Sequence, residues 1–229
     1  MNNNSFLHAG AFAAALMCCA PSITAQHLEV GATGQNQNDA LVWANGDELA
    51  ASSGYVHNLT LADTGRYAGL YNGNITFVAM SSADAGGPAL GSFIQTEFVS
   101  VAGPSGAFFG FWDGVDLGGG LTPTYNIATG SEGLSLRYVL SDANAGAGQA
   151  GQDPFGHLHG RRFTASTEGL YTVGFRAVDT SVNGVDGGAI HAPSDIIYIN
   201  FQAVPEPSVL ALAGTGLAGL WFLRRKRNA

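Results

Sequence analysis

The clearest strand pattern in the chain is GLYTVGFRAVD, residues 169–179. Apolar side chains recur there at every second residue and share one face of an extended segment. That face carries Tyr171, Val173, Phe175 and Ala177. Because this alternation has the period of a strand with one buried side, it predicts a sheet packed on a hydrophobic core. The preceding Glu168 gives a Glu-x-x-Tyr pattern that is typical of a tyrosine corner.

Similar segments occur along the rest of the chain, with no long helical pattern between them. Alternating or β-branched and aromatic runs predict strands at 27–32, 40–44, 55–61, 74–80, 92–101, 107–112, 133–141 and 195–204. The dipeptides Asn45-Gly46 and Asn72-Gly73 predict tight turns. The two Gly-rich stretches, 118–120 and 143–151, are expected to be flexible connectors. Eight or nine strands at this spacing indicate an all-β protein, an antiparallel β-sandwich.

The first 25 residues have the pattern of a secretory signal peptide. An apolar segment is followed by a small residue, Ala25, at the cleavage position. The alternative is a buried N-terminal helix. Both cysteines of the chain, Cys18 and Cys19, lie in this segment, so the body at 26–203 contains none and depends on its core rather than on disulfides.

The body is acidic. Residues 26–203 contain sixteen Asp and Glu against five Arg and no Lys, a net charge near −11. Such a charge repels phosphates, so we expect no nucleic-acid partner. The same charge favours the approach of cations.

The C-terminal residues 204–229 combine three parts in a fixed order. A proline-bracketed motif comes first: Val204, Pro205, Glu206 and Pro207. An uncharged run at 208–223 follows, which predicts a transmembrane helix about 24 Å long, slightly short of a bilayer core of about 30 Å. A basic tail at 224–229 ends the chain with Arg224, Arg225, Lys226 and Arg227 in its first four positions, and we expect it on the cytoplasmic side.

This layout resembles the PEP-CTERM sorting signal of bacterial envelope proteins. The resemblance implies transient recognition and processing by an exosortase, and an exported protein that is first anchored in the membrane and then found at the cell envelope, surface or extracellular matrix. The alternative is a plain C-terminal anchor that is never processed. The chain is thus predicted to consist of a signal peptide (1–25), one extracytoplasmic domain (26–203) and a sorting signal (204–229).

A group of histidines is the strongest candidate site in the body. In an extended segment His157 and His159 face the same way, so their imidazoles lie side by side. His191, before the last strand, and His27, at the start of the first, are the other candidates. Three or four imidazoles, with a carboxylate such as Asp153, suit Zn²⁺, and less selectively Cu²⁺ or Ni²⁺. The alternative is that these histidines lie in an ordinary polar turn.

The body also resembles a small family of PEP-CTERM proteins that is thought to be repressed by the zinc-uptake regulator. The residues that carry this resemblance are HLEV at 27–30, HGRRFT at 159–164 and the last strand before the tail. The resemblance implies a role in capturing or handling zinc at the envelope.

Other chemistry is less well supported by the pattern. The loop that begins at Asp179 has calcium-loop composition, but Ile190 occupies the position where an EF-hand requires Glu, so only a looser Ca²⁺ site remains, less favoured than zinc. Trp43, Trp112 and Phe108 can form either a sugar-binding platform or part of the core. No catalytic motif is present, and we expect a protein that is not an enzyme.

The sequence therefore predicts an exported surface protein that binds a divalent metal, most simply zinc, through a histidine cluster. One alternative is a structural surface or matrix protein that associates with exopolysaccharide without metal. The other is an envelope hydrolase.

Overall fold

The computed structural model describes residues 27–114 and 122–205. The predicted signal helix at 1–25, the helix at 208–223 and the glycines at 118–120 lie outside these residues. One short helix, α1, spans Gly46–Leu49, and single 3-10 turns occur at Ala51–Ser53, Gly65–Tyr67, Ala143–Ala145 and Val185–Gly187. The strands are β1 (His27–Ala32), β2 (Leu41–Trp43), β3 (Val56–Leu61), β4 (Tyr71–Gly73), β5 (Thr76–Ala79), β6 (Ile94–Ala102), β7 (Phe108–Trp112), β8 (Tyr125–Ala128), β9 (Leu136–Val139), β10 (Gly156–His157), β11 (Arg162–Ala165), β12 (Gly169–Asp179) and β13 (Ile197–Val204).

These strands form two sheets. The smaller sheet has the order β10-β5-β1-β2, and the larger has the order β8-β7-β11-β4-β3-β13-β12-β6-β9. The predicted all-β class is confirmed, and the two-sheet arrangement is that of a sandwich in coarse outline. The larger sheet, however, curls strongly.

Contacts between the two ends of the larger sheet show this curl. The hydroxyl of Tyr125 on β8 donates a hydrogen bond to the backbone carbonyl of Arg137 on β9. The rings of Phe111 on β7 and Tyr138 on β9 stack with their centroids 4.2 Å apart. Strands at opposite ends of the sheet order therefore lie side by side, and the sheet is nearly a barrel.

The core lies between the smaller sheet and the concave face of the larger one. The four alternating residues of β12, Tyr171 to Ala177, are fully buried, as the sequence predicts. Phe77 of the smaller sheet packs against Phe175 and Phe163 of the larger sheet, with ring centroids 5.1 and 5.9 Å apart. Aromatic rings thus fill the space between the sheets, where they bury large apolar areas.

The predicted tyrosine corner is also present. The hydroxyl of Tyr171 donates to the carbonyl oxygen of Thr167 at 2.9 Å. This bond gives the buried hydroxyl a partner and holds the loop that enters β12.

A buried carboxylate joins three neighbouring strands of the larger sheet. Glu97 on β6 lies opposite Arg176 of β12 on one side and Arg137 of β9 on the other. Its Oε2 accepts from the Nε of Arg137 at 2.7 Å, and its Oε1 lies 3.8 Å from an Nη of Arg176. With only 5% of Glu97 exposed, the two guanidinium groups compensate a charge that is costly to bury.

Some expectations about topology were wrong. The strands are not all antiparallel, because β1 pairs with β5 and β13 pairs with β3 in parallel. Asn72-Gly73 is not a turn but part of β4, where Asn72 lies opposite Thr60. A Cβ on Gly73 would approach the His57 imidazole to 2.8 Å, so this glycine serves close packing rather than a turn.

Candidate functional site: a histidine cluster on the smaller sheet

Two predicted metal ligands meet across the central strand of the smaller sheet. His27 on β1 lies opposite Thr76 of β5, and His157 on β10 lies opposite Val78 of the same strand. Paired residues on neighbouring strands point to the same side, and so do residues two apart on one strand. Both imidazoles therefore project from one face, and their Nε2 atoms are 3.3 Å apart.

This face is the outer face of the sheet. The intervening residues Leu28, Phe77 and Ala79 point the other way and belong to the buried core. Thr76 and Val78, which share the histidine face, are each only 7% exposed. The two imidazoles are themselves half-buried and lie on paired strands, so they belong to the sheet rather than to a polar turn.

His159 joins the pair from the segment that follows β10. Its ring centroid lies 4.3 Å from that of His157, and its side chain is exposed. Burial, together with the neighbouring imidazoles of His159 and His27, lowers the pKa of His157 below its ordinary value. The ring of His157 therefore stays neutral to a lower pH than a free histidine does, and a metal ligand must be neutral.

Asn45 fixes the position of His27, a role that the sequence did not reveal. Its side-chain amide donates to the carbonyl oxygen of His27 at 2.8 Å, and its Oδ1 accepts from the backbone N–H of Glu29 at 2.9 Å. The predicted turn is present at Ala44 and Asn45, and Gly46 then begins α1. The short side chain of asparagine can form hydrogen bonds with nearby backbone groups. This property makes asparagine common in turns, and it lets Asn45 hold β1 here.

His191 lies in a different place and has no nitrogen left for a metal. Its Nε2 accepts a hydrogen bond from the backbone N–H of Ala89 at 2.9 Å, and its Nδ1 lies 2.9 Å from the carbonyl oxygen of Asp39. This pattern requires the tautomer that carries its proton on Nδ1. With both nitrogens occupied and the side chain buried, His191 ties loops together, and it is not available to the histidine cluster.

The carboxylates proposed as ligands also have other partners. Asp153 accepts from the Ser81 hydroxyl at 2.6 Å and from the backbone N–H groups of Ser82 and Phe155. Slight burial works to raise the pKa of Asp153, but these hydrogen bonds hold it below its ordinary value. The carboxylate therefore clamps two loops together and does not reach towards the imidazoles.

Asp179 has the same kind of role in the stretch with calcium-loop composition. Its two oxygens accept four backbone hydrogen bonds, from Phe93, Ser181, Ile190 and His191. Four hydrogen bonds occupy the acceptor positions of the two carboxylate oxygens. Asp179 therefore holds the loop in place without a metal ion and has no lone pair left for Ca²⁺.

The same loop also holds one of the Gly-rich stretches in place. The side-chain amide of Asn183 donates to the carbonyl oxygens of Gly91 and Gly148, both at 2.8 Å. The segment 143–151, expected to be a flexible connector, is thus hydrogen-bonded to its surroundings.

Within residues 27–114 and 122–205, no group of three or more His, Cys, Asp or Glu side chains is arranged to hold a metal ion. The imidazoles of His27 and His157 are the pair whose nitrogens converge, and His159 is their neighbour. The arrangement is therefore a two-imidazole site with a third ring beside it.

The aromatic residues proposed as a platform do not form one. Trp112 is buried and donates from its Nε1 to the hydroxyl of Thr164 at 3.0 Å. Phe108 is 42% exposed on β7, and Trp43 is half-buried at the edge of the smaller sheet. These residues are divided between the core and separate surfaces.

The C-terminal region carries the targeting information of the chain. Residues 203–227 match the PEP-CTERM protein-sorting motif. The chain carries a sorting signal. This signal supports an exported protein that is anchored in the membrane and then delivered to the envelope surface, and it implies processing by an exosortase. The match covers the tail and does not extend to the body.

No curated protein and no solved structure matches the chain. In the part of the chain that the structure describes, no helix is long and apolar enough to cross a membrane. The predicted transmembrane run at 208–223 lies outside that part.

Proposed function

We propose that this envelope-sorted surface protein binds zinc through His27, His157 and His159, and that its role is binding rather than catalysis. The observation that carries the proposal is the 3.3 Å separation between the Nε2 atoms of His27 and His157. In a tetrahedral zinc site with Zn–N bonds of about 2.0–2.1 Å, two ligand nitrogens lie about 3.3–3.4 Å apart. The pair therefore has the spacing of two zinc ligands, although the same distance also suits a hydrogen bond between the rings.

The surroundings of His27 and His157 favour the binding of a cation. The pKa of His157 is lowered, so its lone pair is available at neutral pH. The acidic body favours approach of a divalent ion over long range. The resemblance of the body to a zinc-regulated family points to the same metal.

His159 would supply the third ligand. Its exposed ring lies against that of His157, and rotation of the side chain would turn a nitrogen towards the metal. Water would fill the fourth position. Acid should release the metal, because protons compete for the same lone pairs.

Calorimetric titration of the purified full chain with Zn²⁺, in a mild non-ionic detergent at pH 7.5, tests the proposal. We expect one-to-one binding that His157→Ala abolishes and that His159→Ala weakens at least about tenfold, a loss of about 1.4 kcal/mol. The control is His57→Asn, which removes an imidazole from the larger sheet and should leave the affinity unchanged. Circular dichroism confirms that each variant is folded.

Either of two results would refute a zinc site here. One is the absence of zinc binding by the unmodified chain. The other is binding that survives His157→Ala unchanged, which would place the metal elsewhere.

A further inference from the structure

The sorting tail leaves the body at one end of the larger sheet. The last strand, β13, ends at Val204, and the predicted transmembrane run begins at Ser208. An extended chain advances at most about 3.6 Å per residue, so the four steps from Val204 to Ser208 span about 14 Å at most. The headgroup layer on each side of a bilayer core is about 5–8 Å thick. In the anchored protein, the end of β13 therefore lies within about 10 Å of the headgroup surface.

Neighbouring strands begin or end at the same level as β13. Thr60, one residue before the end of β3, pairs with Val204. Gly169, the first residue of β12, pairs with Ala203. β6 runs antiparallel to β12 and also ends here. A surface of strand ends and loops therefore surrounds the point where the tail begins.

Two loops cover this end of the sheet. One is 103–107, which follows β6, and the other is 166–168, which precedes β12. We call them the tail-proximal loops. A Cβ on Gly169 would approach the Cγ of Pro104 to 2.8 Å, so the first loop packs directly against the end of the second. The two loops therefore form one continuous surface.

Two exposed apolar side chains flank the tail-proximal loops. Phe108 follows the first loop and is 42% exposed, and Leu170 lies just after the second and is 47% exposed. The backbone N–H of Phe108 donates to the hydroxyl of Ser166 at 2.9 Å, which holds the start of β7 against the second loop. Aromatic and apolar side chains at this depth are stabilised by partial burial among lipid headgroups.

The charged groups at this end distinguish between kinds of lipid headgroup. Asp63 and Arg66 lie in the loop after β3, Glu168 lies in the loop before β12, and Glu132 lies beside the end of β6. The three carboxylates are exposed, and Arg66 is half-buried. An excess of carboxylates is repelled by anionic headgroups. Zwitterionic headgroups carry no net charge and are therefore the better match.

From the short connection and the surface around it, we infer that the anchored body rests on the bilayer with its tail-proximal loops against zwitterionic headgroups. The histidine cluster then lies away from the membrane. β11 runs from the segment after His159 to the second loop, so at least about 10 Å of strand separates the two. This orientation depends on the anchored stage that the sorting signal implies, and it does not depend on zinc.

Fluorescence quenching in liposomes tests the orientation. The full chain, with Cys18→Ser and Cys19→Ser, receives one cysteine for a bimane label, either Ser105→Cys or Thr167→Cys in the tail-proximal loops or Val182→Cys as the control. Val182 is 71% exposed and lies beyond the opposite end of β12, whose 11 residues span roughly 33 Å. Each chain is reconstituted without metal in phosphatidylcholine liposomes that contain a nitroxide-labelled headgroup, and circular dichroism confirms that it is folded.

We expect the labels at Ser105 and Thr167 to be quenched at least about twofold more strongly than the label at Val182, because the control lies roughly 33 Å farther from the headgroups. Six Gly and Ser residues inserted between Val204 and Pro205 add a flexible reach of about 13 Å. This insertion should lower the quenching at both loop sites about twofold.

Three results would overturn the orientation. One is a chain that does not float with the liposomes, since the anchored state would then be absent. Another is equal quenching at the loop sites and at Val182, which would leave this end of the body to a protein partner rather than to lipid. The third is quenching that the insertion leaves unchanged, because the short connection would then not set the contact.

Discussion

Acid should destabilise the fold through one histidine of the larger sheet, His57. Its Nδ1 lies 3.1 Å from the hydroxyl of Tyr55, and its ring packs edge-to-face on the buried Phe201 at 5.7 Å. Its Nε2 is buried and has no hydrogen-bond partner among the described residues. Burial lowers the pKa of His57 from 6.5 to about 4, because the charged ring would lose its hydration.

The sign and size of the effect follow from this lowered pKa. Between pH 6.5 and about 4 the unfolded chain binds a proton at His57 that the folded chain does not, so stability falls as the pH falls. At about 1.4 kcal/mol per pH unit, the full loss from this residue is about 3 kcal/mol by pH 4. Between pH 7.5 and pH 5 the same relation gives about 2 kcal/mol.

Urea unfolding of the full chain at a series of pH values measures this loss. We compare the unmodified protein with His57→Asn, whose Oδ1 can still accept from the Tyr55 hydroxyl but does not titrate. The variant should be less stable at pH 7.5 because packing is lost, yet its stability should fall by about 2 kcal/mol less between pH 7.5 and pH 5.

A second variant separates His57 from the other histidines. His159→Asn removes an exposed imidazole from the segment after β10 and should keep most of the pH dependence. If the free energy of unfolding of His57→Asn declines with acid as steeply as that of the unmodified chain, burial of His57 is not the source of the acid sensitivity.

Two further substitutions test buried carboxylates by urea unfolding at pH 7. Glu97→Gln should lower the free energy of unfolding by about 1–3 kcal/mol, because it leaves two arginines without their shared carboxylate. The control, Glu132→Gln at an exposed site, should change it by less than about 0.5 kcal/mol. Equal effects of the two changes would show that the ion-pair network contributes nothing. Asp179→Asn should lower the free energy of unfolding by about 2–4 kcal/mol. An amide cannot accept four backbone hydrogen bonds, and its NH₂ group would face backbone N–H donors. The exposed Asp186→Asn is its control, and a loss below about 1 kcal/mol in Asp179→Asn would contradict the clamp role.

Much of the fold could be predicted because strand formation with one buried face is a local property. The alternation in β12 is visible in eleven consecutive residues, and its predicted inner face is the observed one. Short strands were not predicted, because a local pattern becomes visible only over several consecutive residues. β4, β8, β10 and β11 contain between two and four residues each, too few to show a period.

The site was only partly predictable. His157 and His159 are two residues apart, so their proximity follows from the geometry of an extended chain. His27 is 130 residues away from His157 in sequence, and its imidazole reaches that of His157 because β1 and β10 flank β5. His191 looked equivalent in sequence, but its surroundings engage both of its nitrogens.

The sequence by itself determined the all-β class, the inner face of the long strands and the sorting signal, because each depends on residues close together in the chain. Tertiary structure alone decided the parallel pairings, the curl that brings β8 beside β9, and which histidines share a face. These features depend on which distant segments become neighbours, and the energy that selects them comes from packing across the whole core rather than from any local pattern.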